Sequence, residues 1–156
     1  MGLLLIAVLP WLGFIFKSIE LPGGLKVEYP ELQKAREEAD EAGLLAEPAH
    51  EQPAYLAVFE DDPNLALAGL RIEIERCLRG IAQAKKIPVG RASVSQLLRI
   101  LREHNALSQQ DGAVLSDLLG LLNSAVHGAE VDPRAAQWAM EVGPRLLAGL
   151  HKRAEG

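Results

Sequence analysis

Four helix-start signals, each followed by apolar residues at alternating spacings of three and four, constrain the fold of this chain more than any other feature. Asp62 ahead of Pro63 offers a capping carboxylate before a proline whose missing N–H costs nothing in a first turn. Leu67, Leu70, Ile74, Cys77 and Ile81 then form the first stripe, which Ile87-Pro88-Val89-Gly90 ends. Ser93 with Gln96 makes a capping box before Val94, Leu97, Leu98 and Leu101, and this second helix is expected to stop near His104-Asn105. Ser108 with Asp111 opens a third helix whose buried side reads Leu115, Leu118, Leu119, Leu122, Ala125 and Val126, with Gly128 as its stop. Asp132-Pro133 opens a fourth, striped by Ala136, Ala139, Met140, Leu146, Leu147 and Leu150, with a kink expected at Gly143-Pro144 and Trp138 packed on the bundle or the linker. Aromatics are only 4 % of a chain that is 49 % hydrophobic, so aliphatic side chains must fill the core. The expectation is all-α: an up-and-down four-helix bundle over residues 62–152, its short connections favouring antiparallel neighbours, with a tail at 153–156.

Gly2 to Phe16 carries no charge. As a helix that run covers about 22 Å, short of a hydrocarbon core of roughly 30 Å, and extension through Lys17 to Ile19 brings it to the lower limit of a span. Residues 1–19 therefore read as a membrane anchor helix. A cleaved secretory signal fits less well, since no Lys or Arg precedes the apolar run and Lys-Ser-Ile-Glu follows it. Lys17 and Lys26 lie after the run, which places the remaining domain in the cytoplasm of a single-pass protein of the inner or plasma membrane. Residues 20–61 read as three pieces. Alternating residues from Ser18 to Tyr29 flank Pro22-Gly23-Gly24 as a short β-hairpin. A charged helix from Glu31 to about Ala42 has a thin stripe of Leu32, Ala35 and Ala39 and is expected to be a solvated stalk or a weak self-associating helix. Residues 44–61 read as a linker ending in an apolar patch, Tyr55 to Phe59.

Charge excludes some functions. Residues 1–60 hold four Lys/Arg against ten Asp/Glu and residues 61–156 twelve against eleven, so the bundle lacks the basic footprint of a dedicated nucleic-acid binder. Cys77 is the only cysteine, which rules out an internal disulfide and a Cys-rich metal site, agrees with a reducing compartment, and on a helical stripe reads as a core residue. His50, His104, His127 and His151 are scattered, and there is no Gly-rich phosphate loop, nucleophile elbow or His-Glu-x-x-His pair. No metal or cofactor is expected.

Chemistry is concentrated in two places. Asn123 and His127 stand four apart near the end of the third helix and share a face. Arg71, Glu75 and Arg79 form a ladder on the first, which as a solvated row is worth about 0.3–0.5 kcal/mol per pair. A histidine at a helix C-terminus also serves as a dipole partner. With its Leu-Arg-Ile-Glu-Ile-Glu-Arg-Cys-Leu-Arg first helix and a later helix ending Asn-Ser-Ala-Val-His-Gly, the stretch 62–152 resembles a HEPN-superfamily helical domain, nearest a bacterial branch grouped as domains of unknown function. The resemblance implies a homodimer, and in the active ribonucleases of that superfamily an Arg, usually a polar residue, and a His four to six residues beyond the Arg face their copies across the dimer. There the His exchanges protons with a ribose hydroxyl and the Arg holds the phosphate. Asn123 and His127 match the polar and His members and are the candidate catalytic residues. The positions open to the Arg are Gly120, Leu121 and Leu122, none of them cationic, so the expectation leans away from catalysis. Arg71 or Arg79 facing His127 is the substitute arrangement; a polar network of Asn123, His127, Arg71 and Glu75 fixing two helices is the fallback. The leading expectation is a membrane-tethered HEPN-like binding or dimerisation module. A metal-independent ribonuclease or RNA-binding domain of defence or toxin type, and a plain assembly domain, are the alternatives.

Overall fold

The four helix starts form as their sequences dictate. In the computed structural model, which describes residues 29–48, 53–127 and 132–156, the helices are α1 (Tyr29–Glu41), α2 (Pro63–Ala84), α3 (Val94–Glu103), α4 (Gln109–Val126) and α5 (Pro133–Glu155), with a 3₁₀ turn at Ala54–Val58. Asp62 accepts from the Leu65 N–H and Asp132 from the Arg134 N–H, and the capping boxes at Ser93/Gln96 and Ser108/Asp111 are both closed. Three helices end the same way. The C-terminal turns of α1, α2 and α3 place Gly43, Lys86 and Asn105 at φ of 65°, 56° and 56°, and the next N–H returns to Ala39, Ala82 and Leu101. These are Schellman ends, each followed by an apolar residue that turns back onto the bundle. α5 continues unbroken through Pro144.

The stripes are the core. Leu67, Leu70, Ile74, Cys77 and Ile81 of α2, Val94, Leu97, Leu98 and Leu101 of α3, Leu115 to Leu122 of the α4 stripe, and Ala136, Ala139, Leu146, Leu147 and Leu150 of α5 are all buried, as is Trp138. Val126 and Met140 depart from the expected stripes and are 43 % and 37 % exposed. Val126 occupies the last turn of α4, where the helix emerges from the bundle.

Contacts between helices fix their directions. Cys77 meets His151 and Leu70 lies against Gly143, so α2 and α5 run parallel; Arg153 meets Asp111, so α4 runs against α5. α4 and α5 are thus antiparallel as expected, but α2 runs parallel to α5 and antiparallel to α4, which departs from the expected up-and-down order, in which the first and third helices run the same way. α3 is too short to span the bundle: ten residues cover about 15 Å against about 33 Å for α2. It bridges from the Arg79 end, where Ala92 is held, to the start of α4, where Arg102 reaches Gln109.

α1 is a correction to the sequence reading. Leu32, Ala35, Ala39 and the following Leu44 are at most 4 % exposed, so the charged helix is a bundle element and not a solvated stalk. It runs parallel to α5, with Arg36 paired to Glu141 and Asp40 to Arg145. A thin stripe suffices because its neighbours are small: at Gly149 the α5 backbone touches the Leu44 carbonyl, an approach that only a glycine allows. The linker is also docked. Ala46 donates to the Arg145 carbonyl, and Tyr55 is buried over Gly69 and Gly143 with its hydroxyl donating to the Ala139 carbonyl at 3.2 Å.

The membrane helix and β-hairpin expected from the sequence lie outside the described residues. Among the described residues there is no strand, and no helix is long and apolar enough to cross a membrane.

Candidate polar site at the α2–α4 seam

Antiparallel packing of α2 and α4 brings Arg71 to the level of Asn123. The Arg71 Nε–H donates to Asn123 Oδ1, a bond between residues 52 apart in sequence and half-buried at the seam. Arg71 Nη1 also lies 3.8 Å from Glu75 Oε2, one turn on. Glu75 Oε1 accepts from Arg79 Nη2 and Nε at 2.9 and 3.2 Å. Arg79 then uses its remaining reach on the backbone, donating to the Gly90 carbonyl at 3.3 Å and the Ala92 carbonyl at 2.7 Å. The result is one row, Asn123–Arg71–Glu75–Arg79, that ends by fastening the α2–α3 loop. Side-chain exposures of 28 %, 27 % and 36 % along Arg71, Glu75 and Arg79 put the row at the rim of the bundle, where charge-assisted bonds are stronger than in open water.

His127 does not join the row. It caps α4 as an exposed residue whose backbone N–H returns to the Asn123 carbonyl, and no hydrogen bond or ion pair links its imidazole to Arg71, Arg79 or Glu75. Four of the five residues singled out by sequence are therefore brought together and the candidate proton-transfer group is not bonded to them. Chemically the row is nearly self-satisfied. The Glu75 carboxylate neutralises one guanidinium charge, and Arg79 has every nitrogen engaged, so an anion would meet only Arg71 with donors to spare.

The other histidines and the cysteine form no second site. His104 Nδ1 sits 2.9 Å from the Ile100 carbonyl, and His50 lies outside the described residues. His151 Nε2 is 3.7 Å from the Cys77 sulfur. Burial, and after it the Glu73 charge, pushes the Cys77 thiol up to about 11 against the opposing pull of Arg76, so it is a protonated core residue and not a nucleophile. Burial likewise raises the Tyr55 phenol well above its usual range, Glu73 adding to it. Among the described residues no group of three His, Cys, Asp or Glu side chains could hold a metal ion. A shallow groove of about 390 Å³ between α1 and α4 is bordered by Lys34, Glu38, Ser116, Asp117 and Gly120, with charges of both signs and no convergent donor set.

No family model, curated protein or solved structure matches the chain.

One polar element escaped the sequence reading. Asp111 is 3 % exposed, closes the α4 capping box, and accepts from Arg153 Nη2 and Nε at 3.0 and 3.3 Å, while the same guanidinium donates to the Ala42 carbonyl. It ties the start of α4, the end of α5 and the end of α1 together. The capping role of Asp111 is legible from Ser108-x-x-Asp; its pairing with Arg153, which also holds the Ala42 carbonyl just after α1, is not.

Proposed function

We propose that this chain is a HEPN-like helical binding module, held at a membrane by residues 1–19 with its bundle in the cytoplasm, and that it works by association and not by catalysis. The observation that carries the reading is the use of the arginines. A ribonuclease of this kind needs a guanidinium with free donors beside an imidazole, whereas Arg79 has every nitrogen engaged, and Arg71, which keeps donors to spare, is bonded to Asn123 and paired with Glu75 and not with the His127 imidazole. The missing cation at Gly120, Leu121 and Leu122 supports the same conclusion. The row then acts as a fastener that sets how α2, α4 and the α2–α3 loop meet, in the way buried polar networks fix one packing among several.

The membrane part of the proposal rests on the charge-free run from Gly2 to Phe16. Fractionation tests it: the full chain should sediment with membranes and be released by detergent but not by alkaline carbonate, and recovery in the soluble fraction would overturn it. The non-catalytic part is tested by incubating the full chain in detergent with a mixed-sequence RNA. Wild type and His127→Ala should both leave the RNA intact. Cleavage by wild type that is lost in His127→Ala would replace the binding module with a ribonuclease.

A further inference from the structure

Charge on the bundle is segregated, and its near-neutral total hides this. Residues 76–102 hold seven of the twelve Lys/Arg of residues 61–156 and none of their eleven Asp/Glu. The stretch is the second half of α2, the loop after it and nearly all of α3. Four of its cations are taken up: Arg76 by Glu73, Arg79 by Glu75 and two carbonyls, Arg99 by Glu103 and Arg102 by Gln109. Lys85, Lys86 and Arg91 are exposed, and no carboxylate among the described residues pairs with them. The loop that carries them is held in place. Arg79, the last member of the polar row, donates to the Gly90 and Ala92 carbonyls, and the N–H of buried Ile87 returns to the Ala82 carbonyl. Lys86 adds an independent observation. The equivalent positions at the ends of α1 and α3 hold Gly43 and Asn105, the types that tolerate left-handed backbone, whereas α2 alone sets a lysine there, at φ 56°. The helix dipole favours a cation in this last turn, but Lys85 supplies one at an unstrained φ of −86°. A strained residue with an exposed, unpaired side chain is kept for what that side chain does.

We propose that the α2–α3 loop is the docking site for an acidic segment of another protein. Lys85, Lys86 and Arg91 receive its carboxylates, and exposed Pro88 with half-buried Val89 supplies the apolar contact between them. Charge complementarity names the chemistry, and two observations choose a polypeptide among polyanions. Residues 76–102 contain no Phe, Tyr or Trp, so the surface offers no ring on which an unpaired base could stack. α1 and α2 both run parallel to α5, so Tyr29, where the chain enters α1, stands at the opposite end of the bundle, the end that carries exposed Glu60, Asp61 and Asp62. A bilayer held through residues 1–19 therefore lies nearer the acidic end, and the cationic loop, about 33 Å away along α2, is left for a partner outside it. This inference rests on the binding-module reading and gives it a partner; the polar row then serves to hold the loop that meets that partner.

Fluorescence anisotropy of the full chain in phosphatidylcholine nanodiscs tests the site, the probe being a fluorescein-labelled peptide of Glu and Ser with one central Leu. The peptide should bind with an affinity that falls as salt is raised, and its counterpart with Gln for Glu should not bind. Replacing Lys85, Lys86 and Arg91 together by Gln should lower the affinity about thirtyfold, and Lys86→Gly alone about threefold. Lys86→Gly is the decisive variant, because the same change relieves the left-handed turn: weaker binding by a chain that unfolds at higher urea is a result that misfolding does not produce. No binding, equal binding of the two peptides, or wild-type affinity in either variant would overturn the site. Tighter binding of oligo-uridylate RNA or of phosphatidylserine vesicles than of the peptide would overturn it as well, and would reassign the loop to nucleic acid or to lipid. RNA cleavage in the His127 assay would remove the binding-module reading whatever the peptide does.

Discussion

Gly149→Ala is the sharpest test of the unexpected place of α1. A methyl on Gly149 would stand 2.6 Å from the Leu44 carbonyl carbon and closer still to its oxygen, both backbone atoms that cannot rotate away. The segment after α1 must then retreat by roughly 1 Å, at an overpacking cost of about 2–4 kcal/mol. It would strain the Leu44 return to Ala39 and the Ala46 bond to Arg145, both 2.9 Å. Replacing a mid-helix glycine also brings about 1 kcal/mol of helix propensity, which leaves a net loss of about 1–3 kcal/mol. Gly80→Ala and Gly120→Ala supply the matched controls, because each glycine is inside a helix and a methyl there meets nothing within 4 Å. Both should stabilise the fold by about 0.5–1 kcal/mol. Urea denaturation followed by far-ultraviolet circular dichroism measures all three. If Gly149→Ala gains stability like the controls, α1 does not pack where the account places it.

Three further outcomes follow from particular contacts. Lys86 holds a left-handed turn at φ 56° with a side chain that is exposed, so Lys86→Gly should raise stability by about 1 kcal/mol in the same titration. Because burial lifts the Cys77 thiol from 9.0 to about 11, the folded chain keeps its proton while the unfolded chain ionises. Its contribution is fully present below pH 9 and is lost as pH rises from 9 to about 11, and alkylation at pH 8 should be roughly a hundredfold slower in the folded chain than in urea. Arg153→Met leaves the buried Asp111 carboxylate short of its partner and should cost about 2–3 kcal/mol, while the Arg153→Met/Asp111→Asn double variant should lose less than the two single losses combined.

Most of the bundle is legible in the sequence because caps and stripes are local. Asp62-Pro63, Ser93/Gln96, Ser108/Asp111 and Asp132-Pro133 mark their helices within one turn, and the residues of the stripes they open are buried with two exceptions at or near helix or stripe edges. What escaped is what depends on close approach. Leu32, Ala35 and Ala39 look too thin for a core face until Gly149 is seen to let two backbones touch, and nothing at the position of Gly149 in the sequence announces its partner. Tyr55 reads as part of a linker, and only its seat over Gly69 and Gly143 makes it core. The polar row was half legible. The ladder Arg71–Glu75–Arg79 follows from spacing alone, and Asn123 stands out as a polar residue closing an apolar helix. That Arg71 bonds to Asn123, and that His127 stays outside, is set by the antiparallel register of α2 and α4.

Arg71 and Asn123 hold α2 and α4 together across the seam. A double-mutant cycle of Arg71→Ala, Asn123→Ala and both, read as unfolding free energy of the full chain, measures that directly. A charge-assisted bond at a half-buried seam predicts a coupling of about 1–2 kcal/mol, with each single variant destabilised. Additive losses, with each variant near wild-type stability, would mean that the pair is not a fastener and that its guanidinium is free for other work.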